Sequence, residues 1–508
     1  MLVDEPNPRP TVLFAAGEAF PFAKTGGLGD VVGALPKALA ERGARPVVFL
    51  PAYREIRRCG LPIVDVGVEF TVPIGGKQVA GGLLRGKLPD SNIDVYFVRQ
   101  DDYYDRPGIY GEKNVAYADN CERYVFLCRA VMESIRLLGL EIDVLHAHDW
   151  HAGLLPALHK IEYRDRPSYE RITNVFTVHN LQYQGEFWHW DMLLTGLDWR
   201  YFNWRQMEAF GKLNLLKTGL AFADAISTVS HTYALEIQTP DFGYGLDGML
   251  RYRSDVLGGI VNGIDDTIWN PTTDVLLPKN YSSATVAEGK AASKEAVQKQ
   301  TGLVRDAAAP LAAFIGRLVE QKGVDLILEV LDEWIVDSDM QWAFLAGDGE
   351  PALLQKVERA AAAHPDRVAV VKGYSEPMAH LLTAGADILL MPSRFEPCGL
   401  NQLYALKYGT VPVVHAVGGL ADTVVNTSAA TLADGTATGF TFGDGGAHRL
   451  GESLALACEL YRGRPEVWAA LRRNGMEQDW SWSRSADEYL ELYRQAFYLA
   501  HRQATVDA

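Results

Sequence analysis

Val12-Leu13-Phe14-Ala15-Ala16 is an uninterrupted apolar run that stops at Gly17, and Lys24-Thr25-Gly26-Gly27-Leu28-Gly29-Asp30-Val31-Val32 follows it closely. The first run is short and apolar throughout, as expected of a strand buried on both faces of a parallel sheet. After the glycines, Leu28, Val32, Leu35 and Leu39 fall at helical spacing and Gly43 closes the helix. One strand–loop–helix unit is complete by residue 43. Its loop leaves bare N–H groups at a helix N-terminus, a natural seat for an anion, with Lys24 just ahead of it. It is not a Walker loop, because the lysine precedes the glycines and no Gly-Lys-Ser/Thr ending exists.

The same alternation recurs outward from this unit. Val47–Leu50, Val144–Ala147, Asn174–Val178 and Ala225–Val229 read as further strands of a first half. Leu311–Ile315, Trp342–Ala346, Val368–Val371, Ile388–Met391 and Val411–Val414 read as the strands of a second. Between them, Asn262–Ala309 reads as a connection followed by a helix over Ala287–Gly302. A chain of 508 residues exceeds one ordinary core, so two large α/β domains are expected. Gly418-Gly419-Leu420-Ala421-Asp422-Thr423-Val424 echoes the first glycine loop in the second half. A single such turn is as well explained by close packing of a helix start on a sheet, but two at corresponding places favour an anion seat. The tail, Trp480–Ala500, has aromatic residues at helical spacing suited to filling a groove.

Composition narrows the function class. Apolar residues make up 48% and charged residues 22%, typical of a globular chain. A formal charge of −16 repels nucleic acid and anionic lipid, so neither is an expected partner, and a phosphate-bearing ligand needs a local cationic pocket. Five cysteines with no Cys-x-x-Cys pair indicate neither a disulfide framework nor a structural zinc site. The N-terminus has no signal-peptide core, and a cytoplasmic location is expected.

In the second half, strand Leu311–Ile315 runs into Gly316-Arg317-Leu318-Val319-Glu320-Gln321-Lys322-Gly323, placing two cations at a strand's C-terminal end, where open α/β sheets bind ligands. Taken alone, both could be solvated loop residues. After Ile388–Met391, Glu396 precedes Pro397 and a helix over Gly399–Tyr408, so a carboxylate and free helix N–H groups converge. His146-Ala147-His148-Asp149-Trp150-His151, with His159 and His179, has the residue types of a metal site, although packed histidines with Asp149 capping the next helix explain it as well.

Together these segments resemble the bacterial glycogen synthases and plant starch synthases of glycosyltransferase family 5, from Val12 to the aromatic tail. The matching segments are Lys24–Asp30, Arg317 with Lys322, Glu396–Leu400 with Gln402-Leu403-Tyr404 and Lys407-Tyr408-Gly409-Thr410, and Gly418–Val424. The resemblance implies a GT-B architecture of two Rossmann-like domains facing across a cleft. Residues 1–262 would be the acceptor domain, 263–479 the nucleotide-sugar domain, and 480–508 a helix returning to the first. It implies retaining transfer of glucose from a nucleotide sugar to the non-reducing end of an α-1,4-glucan, without metal or cofactor; the residues do not decide between ADP-glucose and UDP-glucose, and the lack of a transit peptide favours ADP-glucose. Lys24, with Gly27 beside it, Arg317 and Lys322 would meet the donor's pyrophosphate. Glu396, Cys398, Gly399 and Leu400 would line the donor sugar and its phosphate. Asp149, His179, Asn180 and Asn262 would surround the transferred glucose, Tyr104 would face the sugar, and Tyr374 the base. Asn401 departs from the usual Thr or Ser; its amide N–H₂ would replace a hydroxyl on the diphosphate.

The expected chemistry is same-face transfer, with the departing phosphate accepting the acceptor's proton; Glu396 as a covalent nucleophile is the lesser alternative. The rival functions are a metal-dependent hydrolase built on His146–His151, a glucan-binding module without turnover, and another retaining GT-B transferase.

Overall fold

A computed structural model describes residues 5–112, 115–347, 349–444 and 446–502. The chain divides into two compact units, Met1–Gly263 with Trp482–Ala508, and Ile264–Ser481.

Among the described residues, the first unit carries a nine-stranded sheet. Its order is Leu257–Gly259, Ala225–Thr228, Thr173–Val178, Val144–His148, Thr11–Ala15, Arg45–Pro51, Asp94–Arg99, Lys77–Lys87, Val64–Ile74. Neighbours are parallel as far as Asp94–Arg99, and the last two strands continue it antiparallel. Alternation along the strand sends Leu13 and Ala15 into one buried cluster and Val12 and Phe14 into another, so the central strands are covered on both faces. The antiparallel extension was not expected from the sequence. Within Val64–Ile74 only Phe70, Val72 and Ile74 are buried, a period of two that dilutes the apolar signal.

The second unit's sheet, again among the described residues, is parallel throughout: Val368–Lys372, Gln341–Gly347, Leu311–Arg317, Ile388–Met391, Val411–His415, Phe440–Phe442. The expected connecting helix is present as Val286–Thr301, closed by Gly302 in a left-handed conformation.

The helix Trp482–Arg502 belongs to the first unit. Trp482, Ala486, Tyr489, Tyr493 and Ala496 share one face and pack with Val31, Leu35 and Leu39 of the helix Gly27–Glu41 in one buried cluster. Burying each of these tyrosines is worth roughly 2 kcal/mol. Tyr493 also bonds His146 Nδ1 at 2.9 Å, so the tail reaches the histidine cluster itself. Where the chain leaves this unit, a Cβ on Gly263 would lie 2.5 Å from Trp482 N, so outgoing and returning segments touch backbone to backbone. Among the described residues no helix is long and apolar enough to cross a membrane.

Candidate functional site

In the first unit the loop after Thr11–Ala15 is organised by a buried carboxylate. Glu18 accepts from Thr25 N at 2.5 Å, Thr25 Oγ1 at 2.6 Å, Gly26 N at 3.1 Å and the Tyr110 hydroxyl at 2.6 Å. It pins the stretch that starts the helix Gly27–Glu41. Lys24 Nζ sits 2.6 Å from Asp30 Oδ1 across that turn, in partly exposed positions where such a pair contributes little to stability and leaves the lysine able to exchange partners. Apart from the adjoining backbone, no heavy atom among the described residues lies within 4 Å of where a Cβ on Gly26 or Gly27 would be. The helix start therefore faces open space, as an anion seat requires. Glu18 was not singled out in the sequence, because a lone carboxylate between small residues carries no periodicity.

Asp149 follows strand Val144–His148 with φ +52, a strained conformation for a residue with a side chain. It does not cap the next helix as the sequence suggested. Its carboxyl accepts the His179 N–H at 2.7 Å and draws the Asn180 N–H as well, joining two strand ends. Burial pushes its carboxyl up to about 8; the two N–H groups pull it back, while Glu18 adds to the rise. The unfolded carboxyl titrates near 4. Between these values the native state holds one more proton than the unfolded chain, so this contribution is complete below pH 4 and is lost as pH rises through 8. Replacing Asp149 by Asn removes the titration. The stability difference between variant and parent, read by denaturant unfolding, should then shift in the variant's favour from pH 5 to 9; a difference independent of pH would show the carboxylate ionised throughout.

His179 is buried and its imidazole is pushed down to about 3 by desolvation, so it stands neutral; its Nε2 lies 3.0 Å from His148 Nδ1. His146 spends both nitrogens, on Tyr493 and on Thr177 Oγ1 at 2.6 Å. His151 stacks on Tyr110 at 4.7 Å, and both its nitrogens are buried without a hydrogen-bond partner among the described residues. Among those residues no group of three or more His, Cys, Asp or Glu comes together as a metal site, so the histidine run is packed rather than arranged to chelate. Asn262 is buried, with Oδ1 lacking a partner among the described residues.

In the same unit, a cavity of about 440 Å³ has Trp150, Tyr183, Gln184, Phe187 and Tyr244 in its lining. Trp150 and Phe187 rings lie 5.8 Å apart, and Gln184 is fixed by Asn214 at 2.7 Å and by the Tyr244 carbonyl at 3.0 Å. Aromatic faces with amides between them suit a sugar. The density of aromatic residues from Tyr183 to Phe210 was the available sequence signal.

In the second unit, Arg317 ends strand Leu311–Arg317, is exposed, and makes no ion pair among the described residues. Lys322 Nζ meets Glu396 Oε2 at 2.5 Å, with Ser393 Oγ 3.0 Å from the same oxygen. The Glu396 side chain is 8% exposed and that of Lys322 23%, so the pair is sunk while one side of the ammonium stays open. Cys398 is buried, Gly399 adopts φ +73, and Leu400 caps the helix Asn401–Lys407. Tyr374 stands 64% exposed just past the C-terminal end of strand Val368–Lys372.

Three expectations need correction. Tyr104 is 1% exposed and its hydroxyl donates to the Arg123 carbonyl, so it is a core residue here; Tyr110 bonds the loop-holding Glu18 instead. Asn401 gives its amide N–H to the Ile315 carbonyl at 2.8 Å, bracing the helix start against the sheet rather than presenting that donor outward. The second glycine pair is a packing device: Cβ atoms on Gly418 and Gly419 would fall 2.0 Å from Glu396 O and 2.1 Å from Cys398 O. The two pairs should therefore respond oppositely. Gly419→Ala forces backbone apart and should cost about 2–3 kcal/mol, lowering the apparent unfolding midpoint by several degrees. Gly27→Ala should leave that midpoint unchanged or raise it. Equal losses of stability would contradict the distinction.

Comparison with known proteins follows this division. The family model described as the starch synthase catalytic domain matches residues 11–252, within the first unit, and that described as glycosyl transferases group 1 matches residues 298–461, within the second. A glycogen synthase of Rhodopirellula baltica is 41% identical over 97% of this chain and 99% of its own length. The chain belongs to the glycogen/starch synthase family. A glycogen synthase of Anaeromyxobacter dehalogenans is 46% identical over 95% of this chain and 99% of its own length. Among solved structures, the catalytic domain of Arabidopsis thaliana starch synthase IV, bound to ADP and acarbose, superposes with a TM-score of 0.87 at 30% identity, covering 96% of this chain and 99% of that one. A sucrose-phosphate synthase from Thermosynechococcus elongatus, 17% identical with a TM-score of 0.59, covers 96% of this chain and 99% of that one and shares the fold alone. As a member of the glycogen/starch synthase family, the chain is a glucosyltransferase of glycogen synthesis, and its two Rossmann-like units make a GT-B fold.

Proposed function

We propose that the chain transfers glucose from ADP-glucose to the non-reducing end of an α-1,4-glucan with retention at the anomeric carbon. Arg317 carries this reading: an exposed guanidinium at a parallel strand's C-terminal end, without an ion pair among the described residues, in a chain of net charge −16. The ADP in the starch synthase IV structure supports the choice of donor.

Arg317, Lys322 and Lys24 meet the donor's diphosphate; Glu396, Cys398, Gly399 and Leu400 line its sugar and phosphate, and Tyr374 faces the base. Asp149 holds the His179–Asn180 backbone against the transferred glucose, with Asn262 offering a free amide oxygen, and the Trp150–Tyr244 cavity receives the acceptor. As the bond between the anomeric carbon and phosphate oxygen breaks, negative charge grows on the diphosphate, where preorganised cations lower the barrier. The acceptor 4-hydroxyl attacks the same face and passes its proton to the departing phosphate oxygen; one C–O bond forms, one breaks, and ADP leaves.

Glu396 is a poor nucleophile in this setting, since its carboxylate is engaged by Lys322 and Ser393. The experiment is incorporation of labelled glucose from ADP-glucose or UDP-glucose into precipitated glycogen, with mass spectrometry of the quenched enzyme. Polymer label that survives a chelator, with no glucosyl adduct on Glu396, is expected. A trapped adduct would establish double displacement, and no incorporation from either donor would defeat the reading.

A further inference from the structure

The second unit contains a buried charge relay with no part in the scheme above. His380, 1% exposed on helix Glu376–Gly385, places Nδ1 2.7 Å from Asp274 Oδ2 and Nε2 3.3 Å from Glu376 Oε1. With a carboxylate on each nitrogen the ring must donate twice, which makes it an imidazolium. Burial alone would lower its pKa, but the two hydrogen bonds and the two charges outweigh that and raise it to about 9. Asp274 also accepts the Tyr408 hydroxyl at 2.7 Å. Trp269 lies flat between His380 at 3.8 Å and Tyr404 at 3.9 Å, a stack that favours the charged ring. Trp269 and Asp274 both lie in the segment with which the chain enters this unit.

The outward end of the relay is what bears on function. Glu376 Oε2 accepts the hydroxyl of Tyr374 at 2.5 Å. That phenol stands exposed beyond a parallel strand's C-terminal end, where a nucleotide-binding sheet offers its ligand surface. A solvent-exposed ring ordinarily samples several rotamers, and a carboxylate that is itself held from behind removes that freedom.

We propose that Glu376 and His380 are positioning residues for the donor nucleotide, Glu376 fixing the Tyr374 phenol and His380, clamped to Asp274, fixing Glu376. This rests on the reading of Tyr374 as the base-facing residue. The relay makes no contact with the reacting carbon, so its loss weakens nucleotide binding and spares the chemical step.

The test is a double-mutant cycle on the full chain, read as KM and kcat for ADP-glucose and as Kd for ADP. Glu376→Ala should raise KM and the ADP Kd about tenfold with kcat within twofold. Tyr374→Phe, which keeps the ring and removes the hydroxyl, should do the same. Combining the two should add nothing further, because both remove one hydrogen bond. Glu376→Gln should restore near-parental values: its amide oxygen still accepts from the phenol and its N–H₂ donates to a neutral His380 Nε2. Additive effects, a fall in kcat matching the change in KM, or parental ADP affinity in Glu376→Ala would each overturn the proposal. A parent enzyme that neither binds ADP nor turns over ADP-glucose would instead overturn the donor reading, a failure visible before any variant is made.

Discussion

Lys322→Ala should lower kcat by at least a hundredfold, about 2.7 kcal/mol on the barrier, in glycogen elongation assays at saturating donor. The ammonium is 2.5 Å from Glu396 and still partly open, so it can hold the carboxylate in the resting protein and face a diphosphate when donor is bound. Its removal has a second consequence. Glu396 is nearly buried and among the described residues would keep only the Ser393 hydroxyl, so stability should fall by roughly 3 kcal/mol. The two effects separate in the double variant Lys322→Ala/Glu396→Gln, which no longer buries an unpaired charge. Stability should return while the rate stays low; recovery of both would mean that the lysine serves the fold and not the reaction. Arg317→Ala offers the cleaner comparison, since no ion pair among the described residues is lost. It should match the hundredfold loss in kcat with an unchanged unfolding midpoint.

Acid should be unusually damaging. His146, His148 and His151 are driven well below the ordinary imidazole value chiefly by burial, His179 is driven to about 3, and His159 is lowered too. In the unfolded chain all five titrate near 6.5. A depressed native pKa means stability that is complete above 6.5 and lost as pH falls, because the unfolded state takes up protons that the native state refuses. Asp149 works in the opposite direction, but the depressed imidazoles outnumber it, so the unfolded chain still takes up more protons. His380, raised to about 9, is protonated in the native state throughout, and the unfolded chain matches it only below about 6.5, so it acts with Asp149 above that pH and drops out below it. Stability therefore falls as pH drops through and below 6.5. Denaturant midpoints followed by circular dichroism at pH 7, 6 and 5 should fall steeply, and a flat midpoint across that range would show that the cluster accepts protons in place.

The parts of this molecule that could be read beforehand share one property: their signal is local. Parallel strands such as Val12–Ala16 or Ile388–Met391 are apolar because both faces are covered, and their bounds lie within a few residues of those expected. Arg317 and Lys322 were visible as cations on the loop at a strand's C-terminal end, and Lys24 as a cation just ahead of a glycine-rich turn. What escaped depends on where the chain goes next. Glu18 matters only because the loop curls back so that Thr25 and Gly26 present their N–H groups to it. Gly418 and Gly419 looked like a second anion seat, and only the course of Glu396–Cys398 beneath them shows that their missing side chains make room for backbone. Tyr104 was expected to face sugar; one helix on, the Arg123 carbonyl captures its hydroxyl.

The tail that completes the first unit bears on biosynthesis. Trp482, Tyr489 and Tyr493 fill a groove beside Leu35 and Leu39, yet the ribosome makes them only after all of Ile264–Ser481. At 5–20 residues per second that delay is roughly 10–45 s, during which the nascent amino-terminal lobe displays an unfilled apolar furrow and His146 lacks its tyrosine partner. Truncation before Trp482 should therefore yield an insoluble product rather than a smaller soluble one.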